Sequence, residues 1–179
     1  MLKNKTILVT GVGKGLGKEI LIQMVKLNGF VYGITRSKDD LKKFKNIKNC
    51  KVFFGDVKNT KTLKNILNLS IKEKRIISGL VNNAGERQRM KFENITPEKL
   101  KKLFETNFFS TFENMRIFSN YLKKRKMKGS IVNIGSIVGI NGFDELAGYA
   151  ASKTALIGLT KSFAKEMSNF HIRANIVNP

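Results

Sequence analysis

Tyr149 and Lys153 stand four residues apart in the stretch YAASK. On a helix that spacing puts both side chains on one face. A free phenol titrates near ~10, too high for efficient proton exchange at neutral pH. An ammonium held beside it favours the phenolate, so the pair can serve as a general acid or base. Alone the spacing is a weak signal, because it arises by chance on many helix surfaces. A second constellation lies far upstream. Residues 10–18 read TGVGKGLGK, directly after an apolar run. Glycines there let the backbone turn sharply and approach a phosphate at a helix N-terminus.

The spacing of the glycines narrows the choice of phosphate. A P-loop needs G-x4-G-K followed by Ser or Thr. Here Val12 stands where the first glycine belongs, and Glu19 where the magnesium-binding hydroxyl belongs. An ATPase or GTPase is therefore disfavoured. The dinucleotide pattern G-x-G-x-x-G also fails, at Leu16. What remains is T-G-x3-G-x-G over Thr10, Gly11, Gly15 and Gly17, which keeps the physics of a pyrophosphate cradle. The next apolar run ends in GITRS, with Thr35 and Arg36 and no carboxylate. NAD enzymes commonly place an acid there for the ribose 2′-hydroxyl. A guanidinium fork suits an extra phosphate instead, and Lys14 in the glycine loop is expected on the same side. NADP(H) is favoured over NAD(H).

These residues need a scaffold, and the hydrophobic periodicity supplies one. Short β-branched runs predict strands at 5–10, 30–34, 51–57 (ending at Asp56), 76–85, 130–136 and 172–178. Between them, apolar residues at spacings of three and four predict helices. These run from Gly15 to Asn28, from a cap at Ser37, over 59–70, as one long helix over 96–125, and from Leu146 to Ser168. Ser37 and Thr96 are cap candidates, and Pro97 suits a first helical position. Strand and helix alternate six times, which implies a parallel sheet with helices on both faces. Right-handed crossovers favour a doubly wound α/β fold in the order 3-2-1-4-5-6. Residues 1–179 read as a single domain.

Of the 179 residues, 41% are hydrophobic, which fits a globular core. No apolar run approaches the roughly 18 residues of a membrane span, and no signal peptide is evident. Cys50, the single cysteine, cannot form an internal disulfide, so a cytoplasmic protein is expected. Neither Cys50 nor His171 has partners spaced for a metal. Cys50 is expected just before a strand, His171 in a loop or at a strand edge. The formal charge of +21 favours acidic ligands. No zinc-finger, helix-turn-helix or RNA-binding signature accompanies it, so specific nucleic-acid binding is not expected. The lysines are spread along the chain, apart from the block KKRKMK at 123–128.

Taken together, the chain resembles the short-chain dehydrogenase/reductase family in its classical branch. The resemblance rests on TGVGKGLG, GDV at 55–57, NNAG at 82–85, Asn107, Ser136, YAASK and the final VNP. It covers essentially the whole chain. It implies Tyr149 as catalytic acid or base, with Lys153 holding the nicotinamide ribose and favouring the phenolate. Ser136 would hold the substrate oxygen, and Asn107 a water of a proton relay. Gly11, Lys14, Gly15, Leu16 and Gly17 would hold the cofactor with Arg36. Asp56 and Val57 would meet the adenine, and Asn83, Ala84 and Gly85 would line the cofactor. The implied activity is reduction of a carbonyl with NADPH.

Within the family the chain is similar to bacterial 3-oxoacyl-[acyl-carrier-protein] reductases, through ETNFFSTF, GSIVNIGSIVG and YAASKTALIGLTKSFAKEM. A basic surface including KKRKMK would suit an acidic carrier protein. Relatives that reduce sugars or small ketones share the same core, so that substrate class stays open. Family members continue past this NP with a substrate-covering lid and a seventh strand, absent from this sequence. A truncated, non-catalytic dinucleotide-binding or interaction protein is therefore a second reading. The helices around 97–126 and 146–169 form the main dimer contact in the family, so a homo-oligomer is expected.

Overall fold

The computed structural model describes residues 2–179. The first strand, β1 (Thr6–Thr10), is buried along its whole length, as an interior strand of a parallel sheet must be. Five strands follow: β2 (Phe30–Thr35), β3 (Cys50–Phe54), β4 (Gly79–Asn82), β5 (Gly129–Ile134) and β6 (Ile172–Val177). All pair in parallel, in the order β3-β2-β1-β4-β5-β6, as expected. The connections are α1 (Gly15–Lys26) after β1, α2 (Lys38–Phe44) after β2 and α3 (Thr60–Lys72) after β3. Then come α4 (Pro97–Phe104) and α5 (Ser110–Lys124) after β4, and α6 (Val138–Asn141) and α7 (Ala147–Met167) after β5. From β1 the chain moves outwards to β2 and β3, then crosses back to β4 on the other side. Open α/β sheets bind ligands at such a reversal, beyond the carboxyl ends of the strands.

Two apolar layers hold the sheet. On one face Leu63 and Ile66 of α3, Phe118 and Leu122 of α5 and Met167 of α7 pack with Leu8, Leu80 and Ile131. On the other, Leu21 of α1 and Phe44 of α2 pack with Val9 and Val31. The helices of this second face lie against β1, β2 and β3. Over β4 to β6 it forms an open trough of about 880 Å³, with Val81, Val132, Arg173 and Asn175 in its lining. The expected helical cover on both faces is thus complete only over the first three strands, where α1 and α2 lie.

The helix starts follow their caps in part. Thr96 accepts from the Lys99 N–H (3.4 Å) ahead of Pro97, and Asn59 caps α3 through the Lys61 N–H (3.0 Å). Ser37 holds the cap position of α2 but makes no side-chain cap bond. The helix expected over 96–125 is two helices, with Glu105–Phe109 between them in a π turn. The third strand ends at Phe54, so Asp56 lies in the turn beyond it, accepting from the Lys58 N–H (2.9 Å). Cys50, expected before that strand, is its first residue. Helix α6 and the single turns Phe92–Asn94 and Ser168–Phe170 were not legible, because three or four residues do not complete a periodic repeat.

Candidate functional site

At the reversal a cavity of about 510 Å³ opens between the carboxyl ends of the strands. Gly11, Lys14, Leu16, Gly17, Arg36, Asp56, Val57, Asn83, Ala84 and Gly85 all line it. These are the residues singled out by sequence for a dinucleotide, except Gly15, which lies in the same loop without lining the cavity, and Tyr149 and Lys153, which lie outside its lining. Thr10 ties the loop to the turn after β4: its Oγ1 accepts from the N–H groups of Asn83 and Ala84, both at 3.0 Å. The Asn83 amide in turn donates to the carbonyls of Thr10 (3.0 Å) and Gly11 (3.1 Å). A side chain at Gly17 would collide with the Gly11 carbonyl and this Asn83 amide. Gly15 has φ +55° and open space around its Cα.

The cavity suits an anionic dinucleotide by three observations. Lys14, at the cap position of α1, makes no side-chain cap bond, so the first N–H groups of the helix have no side-chain acceptor. Such a terminus attracts phosphate. The glycine loop leaves the approach to it clear of side chains. In the cavity wall, the Thr106 hydroxyl is buried without a hydrogen-bond partner, and the residue is 5% exposed. A buried hydroxyl without a partner in a cavity wall is a polar group still to be satisfied.

Charge at the β2 end is less simple than the sequence suggested. Arg36 and Lys14 face the cavity together, as expected. Two carboxylates share that region, Asp40 four residues along the chain and Glu86 from beyond β4. The side chains of Arg36 and Glu86 form an ion pair. Asp40, on α2, folds back so that its carboxylate accepts from the Thr35 hydroxyl (3.0 Å) and meets Lys43 Nζ at 2.5 Å. The Lys43 hydrogen bond holds the Asp40 carboxyl below the usual range, with smaller help from Thr35 and the charge of Lys14. The strand end GITRS itself carries no carboxylate; Asp40 comes from the first turn of α2, and tertiary folding brings Glu86.

The acid–base residues gather at the end of β5. Lys153 is 4% exposed. Its Nζ donates to the Ile134 carbonyl (2.8 Å) and lies 5.8 Å from the centre of the Tyr149 ring. Burial pushes the Lys153 ammonium down from 10.5 to about 8. Ser136, two residues beyond Ile134, is buried, and its Oγ accepts from the Val138 N–H (3.2 Å). Among the described residues its own O–H has no acceptor. Asn107 sits in the π turn, 1% exposed. Its Oδ1 accepts from the Glu86 N–H (2.7 Å), while its Nδ2 donates to the Glu86 carbonyl (2.9 Å) and to Ser152 Oγ (3.0 Å). The side chain of Asn107, the residue expected to hold a water, is a clamp on the loop after β4.

Sequence reasoning missed a buried amide ladder beneath the site. Asn114 donates to Asn82 (3.1 Å), Asn82 to Asn133 (2.9 Å) and Asn133 to Thr160 (2.8 Å). It joins α5, β4, β5 and α7. Polar residues at core positions of apolar runs were the available signal, since buried amides need partners. Among the described residues, no three or more His, Cys, Asp and Glu side chains are grouped to hold a metal, and no helix is long and apolar enough to cross a membrane. His171 is an exposed residue in a left-handed turn before β6. The basic block at 123–128 lies just before β5, whereas Ser136 lies just after it. A strand of this length separates them by about 20 Å.

The profile of the family described as short chain dehydrogenase matches residues 5–179. A 3-ketodihydrosphingosine reductase of Bacteroides thetaiotaomicron is 32% identical over 179 residues, covering 99% of this chain and 64% of that protein. A 3-oxoacyl-[acyl-carrier-protein] reductase of Buchnera aphidicola is 31% identical, covering 99% of this chain and 73% of that one. The chain thus spans less than two thirds of the first relative's length and under three quarters of the second's. Among solved structures, ElxO with NADP bound aligns at TM-score 0.89 and 30% identity, over 98% of this chain and 73% of its own. A 4-hydroxyisoleucine dehydrogenase complexed with NADH aligns at 0.88 and 30%, over 98% and 72%. With the glycine loop, the strand order and the Tyr149–Lys153 pair all present, the match over nearly every residue places this chain in the short-chain dehydrogenase family.

Proposed function

We propose that the chain is an NADP(H)-dependent carbonyl reductase, with residues 1–179 forming one dinucleotide-binding domain that also carries the acid–base residues. The observation that carries this reading is Lys153. An ammonium 4% exposed is costly to bury, and this one sits beside a tyrosine ring and close behind Gly85 of the cavity wall. Strongly perturbed groups in a cleft are characteristic of working sites.

In this reading the N-terminus of α1 and Gly11, Gly15, Leu16 and Gly17 receive the pyrophosphate. Lys14 and Arg36 receive the 2′-phosphate. Asp56 and Val57 meet the adenine, and Asn83, Ala84 and Gly85 bound the ribose side. Bound NADPH supplies the hydride. Tyr149 gives its hydroxyl proton to the carbonyl oxygen, and Ser136 donates a hydrogen bond to that same oxygen. Lys153 keeps a positive charge beside the phenol ring and offers donors to the nicotinamide ribose. Asn107, whose side chain engages Glu86 and Ser152, would stand beside the water of a proton relay. A positioned acid of this kind contributes roughly 10²–10⁴-fold in rate.

The substrate class is a ketone. Likeness to 3-oxoacyl-[acyl-carrier-protein] reductases favours a 3-oxoacyl thioester. The basic block at 123–128 lends that choice no support, because it lies at the opposite end of β5 from Ser136. A homodimer through α4, α5 and α7 is favoured by Phe109 and Phe112, which leave large apolar surfaces exposed. Calorimetric titration with NADPH and NADH, then turnover of a 3-oxoacyl thioester with NADPH, tests the reading. NADPH should bind more tightly, and Tyr149→Phe should keep binding while losing turnover. Binding without turnover in the wild type would instead support a non-catalytic dinucleotide-binding protein.

A further inference from the structure

Arg36 lines the dinucleotide cavity, and Glu86 directly follows Gly85, which lines it from the other side of the glycine loop. Arg36 follows β2, and Glu86 follows the turn after β4. Between those strands runs β1 with its glycine loop. The ion pair joining the two side chains therefore spans the mouth of the cavity. Its two members are held differently. The backbone of Glu86 is clasped on both sides by the buried Asn107 amide, at 2.7 and 2.9 Å. The Arg36 side chain is 65% exposed, against 32% for Glu86. A carboxylate on a firmly held backbone thus meets a loose guanidinium.

We propose that Glu86 is an internal competitor for Arg36, neutralising the guanidinium until the 2′-phosphate of NADP takes its place. The proposal rests on the NADP(H) reading above. A guanidinium fork binds a carboxylate or a phosphate through the same N–H donors and cannot serve both fully. Among the described residues no carboxylate lies at hydrogen-bonding distance from Lys14, so exchange at Arg36 alone adjusts the affinity. Glu86 accordingly sets how tightly the phosphorylated cofactor is held, without touching the reacting atoms.

The experiment measures NADPH and NADH binding by calorimetry at low ionic strength, where surface pairs are least screened. The proteins are the wild type, Glu86→Gln, Arg36→Gln and the double variant. Glu86→Gln keeps the backbone bonds to Asn107 and changes only an exposed carboxylate; circular dichroism verifies its fold. It should bind NADPH about two- to fivefold more tightly, the range of an exposed ion pair. The same substitution in the Arg36→Gln background should change nothing. Unaltered or weakened NADPH binding by Glu86→Gln in a wild type that prefers NADPH would overturn the competition alone. A gain that persists without Arg36 would also overturn it, since Glu86 would then act directly on the ligand's charge. A wild type that binds NADH as tightly as NADPH would refute the cofactor reading, and this role of Glu86 with it.

Discussion

Replacing Lys153 with methionine removes a buried ammonium and keeps an unbranched side chain of similar reach. The ammonium is nearly excluded from water, and burial lowers its proton affinity from 10.5 to about 8. Each tenfold change in affinity is worth about 1.4 kcal/mol, so the folded state carries a penalty of about 3 kcal/mol while this lysine is charged. The sign follows from linkage. Between pH 8 and 10.5 the unfolded chain holds the proton and the folded chain releases it, so stability rises with pH across that window. Below it the full penalty applies; above it the penalty is gone. Methionine abolishes the penalty but leaves the Ile134 carbonyl without its 2.8 Å donor, at a cost of about 1–3 kcal/mol at every pH. At neutral pH Lys153→Met should therefore equal or exceed the wild type in stability, by up to about 2 kcal/mol. Above pH 10.5 it should be the less stable by about 1–3 kcal/mol. Urea denaturation of both proteins, without cofactor, measures the difference, in which the other lysines cancel. A difference that stays constant from neutral pH to above 10.5 would refute the claim that Lys153 is held charged at a cost.

The glycine loop and the cavity wall yield further tests. Gly17→Ala forces a methyl into the Gly11 carbonyl and the Asn83 amide, costing about 1–3 kcal/mol in overpacking and about 0.5–1.5 kcal/mol for each severed hydrogen bond. Gly15→Ala meets only the left-handed backbone, φ +55°, at about 1–2 kcal/mol. Thermal unfolding and NADPH titration should rank Gly17→Ala as far the more damaging; equal effects would contradict the packing described for the loop. Thr106→Val removes the orphaned hydroxyl, so the cofactor-free protein should gain about 1–3 kcal/mol while NADPH binding weakens roughly two- to tenfold. Thermal unfolding with and without NADPH shows both, and a loss of stability in the free protein would mean that the hydroxyl is already satisfied.

What the sequence by itself determined is what depends on near neighbours. Burial of β1 is written in TILVT, and the helix periodicity is carried by residues three and four apart. The loop is recognisable because glycines are required where backbone must turn or approach a phosphate. With alternation and right-handed crossovers, these local rules were enough to set the strand order, and with it the crevice holding Lys14, Arg36, Asp56 and Asn83. The tertiary structure decided what depends on contact between distant segments. Arg36 reads as a free cation beside its sequence neighbours, and only the β2-β1-β4 order brings Glu86 to it. Asn107 reads as a polar helix residue; its role as a clamp requires the loop after β4 and Ser152 to converge on it. Lys153 marks a motif in one dimension, but its lowered proton affinity comes from desolvation by the surrounding fold. Sequence spacing places residues along and around an element. Dielectric environment and pairing across the sheet exist only once the elements are packed, and there the charge state and the electrostatic balance of this site are set.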